Sequence, residues 1–155
     1  MYVNVPELKQ IVVLNRRTHA VSRWPMSWAG NFPMALDEAD HRLFVATRSP
    51  AGLVVLETGS GRILAALPGV GDADDLYYDP IRKRIYVSGG EGYVSVVRQQ
   101  DADHYESLAK IRSSPGARTA GYFRETGKKD ADRLYVAVPT RDGQGAEVRI
   151  YRPQD

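Results

Sequence analysis

Short apolar stretches alternate along the whole chain with polar turns rich in Gly, Asp and Arg, and the strongest of these stretches recur. Arg42-Leu43-Phe44-Val45-Ala46, Arg84-Ile85-Tyr86-Val87-Ser88 and Arg133-Leu134-Tyr135-Val136-Ala137 are three versions of one strand, and Met1 to Val5 is a fourth. Their aromatic positions, Tyr2, Phe44, Tyr86 and Tyr135, lie 42, 42 and 49 residues apart. A period near forty residues built from short strands predicts an all-β fold of propeller blades, each a four-stranded antiparallel meander.

The remaining strands fall in phase with this repeat. Lettering the strands of a blade a to d from the inside out, the recurring strand is b. Strand c is read over Ile11 to Leu14, Leu53 to Leu56, Val94 to Val97 and Val148 to Tyr151, rich in β-branched residues that suit a pleated surface. Strand d is read over Ala20 to Trp24, Arg62 to Leu67 and Tyr105 to Ile111, and strand a over Met34 to Leu36, Leu76 to Tyr78 and Ala120 to Phe123. The order b-c-d, a-b-c-d, a-b-c-d, a-b-c gives 14 strands, about three and a half blades, in one partial propeller domain over 1–155. The repeats run roughly over 1–29, 30–70, 71–115 and 116–155.

Fewer than about four blades cannot close a ring, so two apolar blade faces are expected to stand open. They would be covered by oligomerisation or by a missing propeller half. A homodimer is preferred, because two copies bring about 28 strands, the content of a seven-bladed ring.

The repeated motif carries a family resemblance. Tyr2-Val3-Asn4, followed by Phe44-Val45-Ala46, Tyr86-Val87-Ser88 and Tyr135-Val136-Ala137, with the turn Leu56-Glu57-Thr58-Gly59-Ser60-Gly61, resembles the bacterial YVTN-type β-propeller repeats. Nearly the whole chain takes part, in the manner of the C-terminal half of a seven-bladed member. The pattern departs in two places: only the first copy keeps Asn after Tyr-Val, and Gln99-Gln100-Asp101-Ala102-Asp103 stands where the third copy should have its Gly turn. The resemblance implies a fold and a binding surface, without a shared catalytic constellation.

Composition narrows the function mainly by exclusion. The net charge of +2 is scattered, with no basic stripe, so a nucleic-acid partner is not implied. The absence of Cys excludes disulfides, thiolate catalysis and Cys-ligated metals. Glu7, Lys9, Arg16 and Arg17 interrupt the first twenty residues, so neither a signal peptide nor a membrane span is expected in this chain.

The candidate chemistry lies on the face of the disc that carries the d–a connections and b–c loops. Gly30-Asn31-Phe32-Pro33, Gly71-Asp72-Ala73-Asp74-Asp75 and Gly116-Ala117-Arg118-Thr119 each lead into an innermost strand. Asn31, Asp72, Asp74 and Arg118, with Arg48 and Glu91 from b–c loops, are therefore expected to form a polar pocket for a small ligand or a partner protein. The competing reading has Asp72, Asp74 and Asp75 accepting backbone amides at turns. Ca²⁺ wants six or more oxygens, and two or three acids without a metal-loop spacing do not supply them. No metal or cofactor is therefore assigned.

Gly89-Gly90-Glu91-Gly92 joins two strands and opens no helix, so it does not read as a phosphate loop. His19, His41 and His104 occupy turns in three different copies without metal-ligand spacing, and Ser60 has no nearby His. Trp24 and Trp28 read as packing residues, with a stacking platform as the alternative. The opposite face bears the a–b turns, including Glu38-Ala39-Asp40-His41 and Arg82-Lys83, which are expected simply to be solvated. Residues 126–130 are an insertion that accounts for the 49-residue step, and 140–145 form a long b–c loop. No catalytic site residue is assigned. These features favour a non-enzymatic binding or scaffold module; the alternative is a metal-dependent, lactonase-like hydrolase holding a divalent cation with Asp72, Asp74 and Asn31.

Overall fold

The alternating pattern resolves into four antiparallel sheets in the computed structural model, which describes residues 1–125, 127, 131–141 and 143–154. The first sheet has strands β1 (Tyr2–Val5), β2 (Gln10–Leu14) and β3 (Val21–Pro25). The second has β4 (Met34–Asp37), β5 (Arg42–Arg48), β6 (Ala51–Glu57) and β7 (Ile63–Pro68). The third has β8 (Ala73–Asp79), β9 (Arg84–Gly89), β10 (Tyr93–Gln99) and β11 (Tyr105–Arg112). The fourth has β12 (Ala120–Phe123), β13 (Arg133–Val138) and β14 (Glu147–Tyr151). Every sheet is a meander in chain order, so the b-c-d, a-b-c-d, a-b-c succession appears strand for strand as partial propeller blades.

Strands b and c are apolar at consecutive positions because a neighbouring blade covers each of their two faces. In β5, Leu43, Phe44, Val45, Ala46 and Thr47 are all at most 1% exposed. Leu43 and Val45, with Val54 and Leu56 of β6, pack toward Ile11, Tyr2 and Trp24 of the first blade. Phe44, Ala46, Leu53 and Val55 pack the other way, against Leu76, Ile85, Val87 and Val97 of the third. Tyr86, Val94 and Val96 repeat that step against Leu134, Val136 and Val138 of the fourth. Trp24 is a packing residue: its ring lies 5.5 Å from that of Tyr2 and covers Gly61, where any side chain would collide with it.

Three local features depart from the expected pattern. β8 begins at Ala73, so Asp74 and Asp75 belong to a strand rather than to the connection before it; a bulge between Ala73 and Asp75 turns Asp74 out of the ladder. The Gln99–Asp103 turn lacks glycine because the Asp101 carboxylate accepts the amides of Asp103 and His104 at 2.8 and 2.9 Å. A short 3-10 turn, Pro6–Leu8, was not expected. Of the insertion, Thr126, Lys128, Lys129 and Asp130 lie outside the described residues, as does Asp142 of the 140–145 loop.

The a–b turn face is not uniformly solvated, which corrects the expectation for Arg82. Its guanidinium is 3% exposed and its Nη1 lies 2.9 Å from Asp79 Oδ2 and 2.6 Å from Asp132 Oδ2, joining the third blade to the fourth. Tyr122 donates its hydroxyl to Asp79 at 2.8 Å. One blade earlier, Asp37 plays the part of Asp79. It accepts Gln99 Nε2 at 3.0 Å, and Gln99 in turn accepts the Tyr78 hydroxyl. Burial opposes ionisation of both carboxylates. For Asp79 the Arg82 guanidinium and Tyr122 hydroxyl outweigh it, and for Asp37 the hydrogen bonds from Gln99 and the Asp40 amide do, so both pKa values lie below the ordinary 3.8.

A carboxyl depressed by folding stabilises the fold fully above its unfolded value and loses that stabilisation as pH falls through the folded one. The urea midpoint is therefore expected to vary little from pH 7 to about 5 on account of these groups and to fall steeply below about pH 4. In Asp79→Asn the acid-side slope should flatten; an unchanged slope would count against this assignment.

Candidate functional site

The entry to β8 in the third blade brings Asp72, at the end of the d–a connection, beside Asp74, at the strand's bulge, and residues from the blades on either side close on them. Asp72 has a φ of 52°, and its carboxylate lies against Gly90, where a Cβ would overlap it. Only glycine at 90 leaves this approach free. Arg48, the last residue of β5, lays its guanidinium across the connection: Nη1 is 3.1 Å from Asp72 Oδ1, Nη2 is 3.1 Å from Asp74 Oδ1, and Nε donates to the Ala73 carbonyl at 2.9 Å. From the fourth blade Arg118 Nη1 meets Asp72 Oδ2 at 2.7 Å, and its Nε lies 4.0 Å from Asp74 Oδ2. These bonds hold Arg118 protonated beyond its ordinary range. Phe32 stacks under Arg48, with Cζ 4.3 Å from the ring centroid, and is 45% exposed.

Four of the six expected site residues, Arg48, Asp72, Asp74 and Arg118, thus form one lattice across three blades. Glu91 lies beside it in a separate pair. Its Oε1 accepts Lys110 Nζ at 2.8 Å and its Oε2 accepts the Gly71 amide at 2.7 Å, and the two bonds hold its carboxyl below the usual range. Asn31 does not join them, a correction to the expected pocket. It is fully buried, and its Nδ2 donates to Asn4 Oδ1 at 3.0 Å and to the Gln10 carbonyl at 3.2 Å, tying the second blade to the first. Asp75 turns away to accept the Ala120 amide at 2.7 Å, the backbone role that an Asp at a strand entry commonly takes. Phe32 and Lys110 belong to the site without having been singled out. Phe32 could have been found beside Gly30 and Asn31 in its connection, whereas Lys110 sits in an ordinary strand d.

The lattice is open to solvent, its four side chains 28–48% exposed, so its ion pairs are screened by water and add little to stability. Two guanidiniums and two carboxylates present alternating charge beside an exposed ring, and a cation would have to displace both arginines to reach Asp72 and Asp74. Among the described residues no group of three or more His, Asp and Glu side chains could hold a metal. His104 pairs with Asp101 on an exposed turn, and His19 and His41 are exposed turn residues at positive φ.

No protein-family model matches the sequence, and comparison with curated proteins finds no match. Solved structures do resemble it. Hydrazine synthase of Kuenenia stuttgartiensis superposes with a TM-score of 0.80 at 13% identity, over 97% of this chain and 42% of that one. A protein of unknown function from Desulfotomaculum acetoxidans gives 0.60 at 13% identity, over 99% and 57%. A Bacteroides uniformis protein provisionally assigned as a 6-phosphogluconolactonase gives 0.55 at 12% identity, over 90% and 49%. The likeness is one of fold, and the fold is of propeller type. The chain spans only about half the length of these structures. No helix among the described residues is long and apolar enough to cross a membrane.

Proposed function

We propose that this chain is a non-enzymatic binding or scaffold module of the YVTN-propeller type, whose ring is completed by further blades docking on its two open faces. The carrying observation is a contrast between repeats. Val148 and Ile150 of β14 occupy the places of Val94 and Val96, and of Leu53 and Val55, because each set pairs with the same strand-b residues. Val94, Val96, Leu53 and Val55 are 0–6% exposed, whereas Val148 and Ile150 are 61% and 60% exposed. At the other end Met1 and Val3, equivalents of Leu43 and Val45, are 57% and 43% exposed, against 1% and 0%. The two open faces are of the kinds that meet inside the chain, so the Val148 face of one copy suits the Met1 face of another.

In the completed ring, the Arg48–Asp72–Asp74–Arg118 lattice with Phe32 offers a polar platform for a partner loop or a small polar ligand. A lactonase-like hydrolase draws less support, because Asp72 and Asp74 already hold two guanidiniums and Asn31 is buried apart from them. Light scattering on a sizing column across a range of concentrations tests ring completion by copies of this chain. A closed dimer or larger ring is expected, and a monodisperse monomer at all concentrations would overturn it.

A further inference from the structure

The outer rim of the second blade lacks a device that its two neighbours share. Strands β3, β7 and β11 are the outermost of the first three blades, and each leaves one edge unpaired among the described residues. Val12, Val54 and Ser95 hold one place in the repeat, because each pairs with the residue that follows a strand-b aromatic: Val3, Val45 and Val87. Their partners on the outer strands are Arg23, Ala66 and Lys110. A long cation in the middle of an open edge keeps other strands off it, since pairing there would strip the charge of water. The first and third blades carry that cation, and the second has a methyl group in its place.

The backbone at Ala66 is set to pair. The Gly69 amide donates to the Ala51 carbonyl at 3.2 Å, and the register continues from there through Gly52↔Pro68 to Val54↔Ala66. The alternation of an antiparallel ladder therefore turns the amide and carbonyl of Ala66 away from β6. Pro68 falls in the same phase, where its missing N–H costs the sheet nothing. From Ile63 to Pro68 the strand has only apolar side chains, and Ile63 is 39% exposed. Beside it runs a shallow groove of about 350 Å³ between Trp28, Pro50, Ala51, Leu67 and Pro68, with no charged side chain in its lining. The second blade is covered on both faces by its neighbours, so this edge and groove stand apart from the two open blade faces.

We propose that β7 pairs with β7 of a second copy of the chain, antiparallel about a two-fold axis at Ala66. The strand itself specifies this occupant. Each Ala66 amide donates to the Ala66 carbonyl of the other copy, and neither strand brings a charge that must be desolvated. The same register sets Leu64 of each copy opposite Pro68 of the other, against a wall of the Trp28 groove. The equivalent strands are barred from this arrangement, because Arg23 or Lys110 would meet its own copy directly across the axis, like charge to like charge.

The chain has no cysteine, so Ala66→Cys introduces a single thiol at the axis. Directly opposed residues of a hydrogen-bonded antiparallel pair have Cα atoms about 5.5 Å apart, within reach of a disulfide. Under mild oxidation of the full chain, a linked dimer is expected to form about tenfold faster or more than with Arg23→Cys, which puts a thiol at the equivalent place in the first blade. Ala66→Lys restores the missing cation and should lower the mass found by light scattering at the highest concentration by about half, with the circular dichroism spectrum unchanged. Equal cross-linking of the two thiols, or a mass indifferent to Ala66→Lys, would overturn the proposal. The outcome separates from ring closure: a closed ring whose Ala66→Cys chains link no faster than the Arg23→Cys control sinks the edge pairing alone, and rapid linking of chains that form no ring sinks closure alone.

Discussion

Arg82→Ala is expected to lower stability by about 3–5 kcal/mol, because it removes the cation from a buried triad and leaves its carboxylates behind. Asp79 and Asp132 are 0% and 2% exposed at their side chains, and both lie within 3 Å of the same Nη1. Without Arg82, two negative groups share a water-poor site between blades, and one of them must take up a proton on folding. The loss measured by urea denaturation should therefore be largest near neutral pH and shrink as the pH approaches about 4. Arg82→Lys retains the charge, but its ammonium is more strongly hydrated and sits on a shorter stem than the guanidinium whose Nη1 meets both carboxylates, and an intermediate loss is expected. A midpoint unchanged by Arg82→Ala would mean that the triad does not join the blades.

Phe44→Ala is expected to be of similar size, about 3–5 kcal/mol, since it deletes a large ring from a fully packed site. Phe44 is 0% exposed and touches the rings of Tyr78, at 5.0 Å, and Tyr105, at 5.9 Å. Tyr86→Ala, at the equivalent place one blade on, falls in the same class but should cost less. Tyr86 meets Tyr122 at 5.3 Å and borders an existing cavity in place of a second ring, so its removal forfeits fewer contacts. The two variants can be compared by thermal and urea denaturation of the same chain. If Tyr86→Ala proved the more damaging, the Tyr86 ring would be packed more fully than its cavity-lined site implies. If both were near-neutral, the blade core would have been placed on the wrong strand.

The two substitutions also divide what was legible from what was not. Phe44 and Tyr86 announce themselves: they stand 42 residues apart in the same five-residue phrase, and a run of apolar residues too short for a helix has to be a strand covered on both faces. Arg82 announces nothing. In a charged turn beside Lys83 it reads as a solvated cation: one of its carboxylates, Asp79, stands three residues back, but the second lies 50 residues away. The same holds for Gln99, whose side chain reaches Asp37 across 62 residues, and for the clasp of Arg42 on Asp103 across 61.

The candidate site shows the same division. Arg48, Asp72, Asp74 and Arg118 were legible as a group because the d–a connections and b–c loops of three successive repeats lie on one face of the disc. Asn31 sits at a matching position, yet its side chain turns inward to Asn4, and no pattern in its own connection distinguishes it from a surface residue.

The sequence by itself thus determined the class of fold and the order and phase of the 14 strands among the described residues, because these depend on a repeat of short apolar runs and on short hairpins between neighbours in the chain. The tertiary structure alone decided which polar groups meet between blades and which of them are buried. Those outcomes depend on how closely successive blades approach and at what angle, and that geometry is set by the whole packed array rather than by any local stretch of residues.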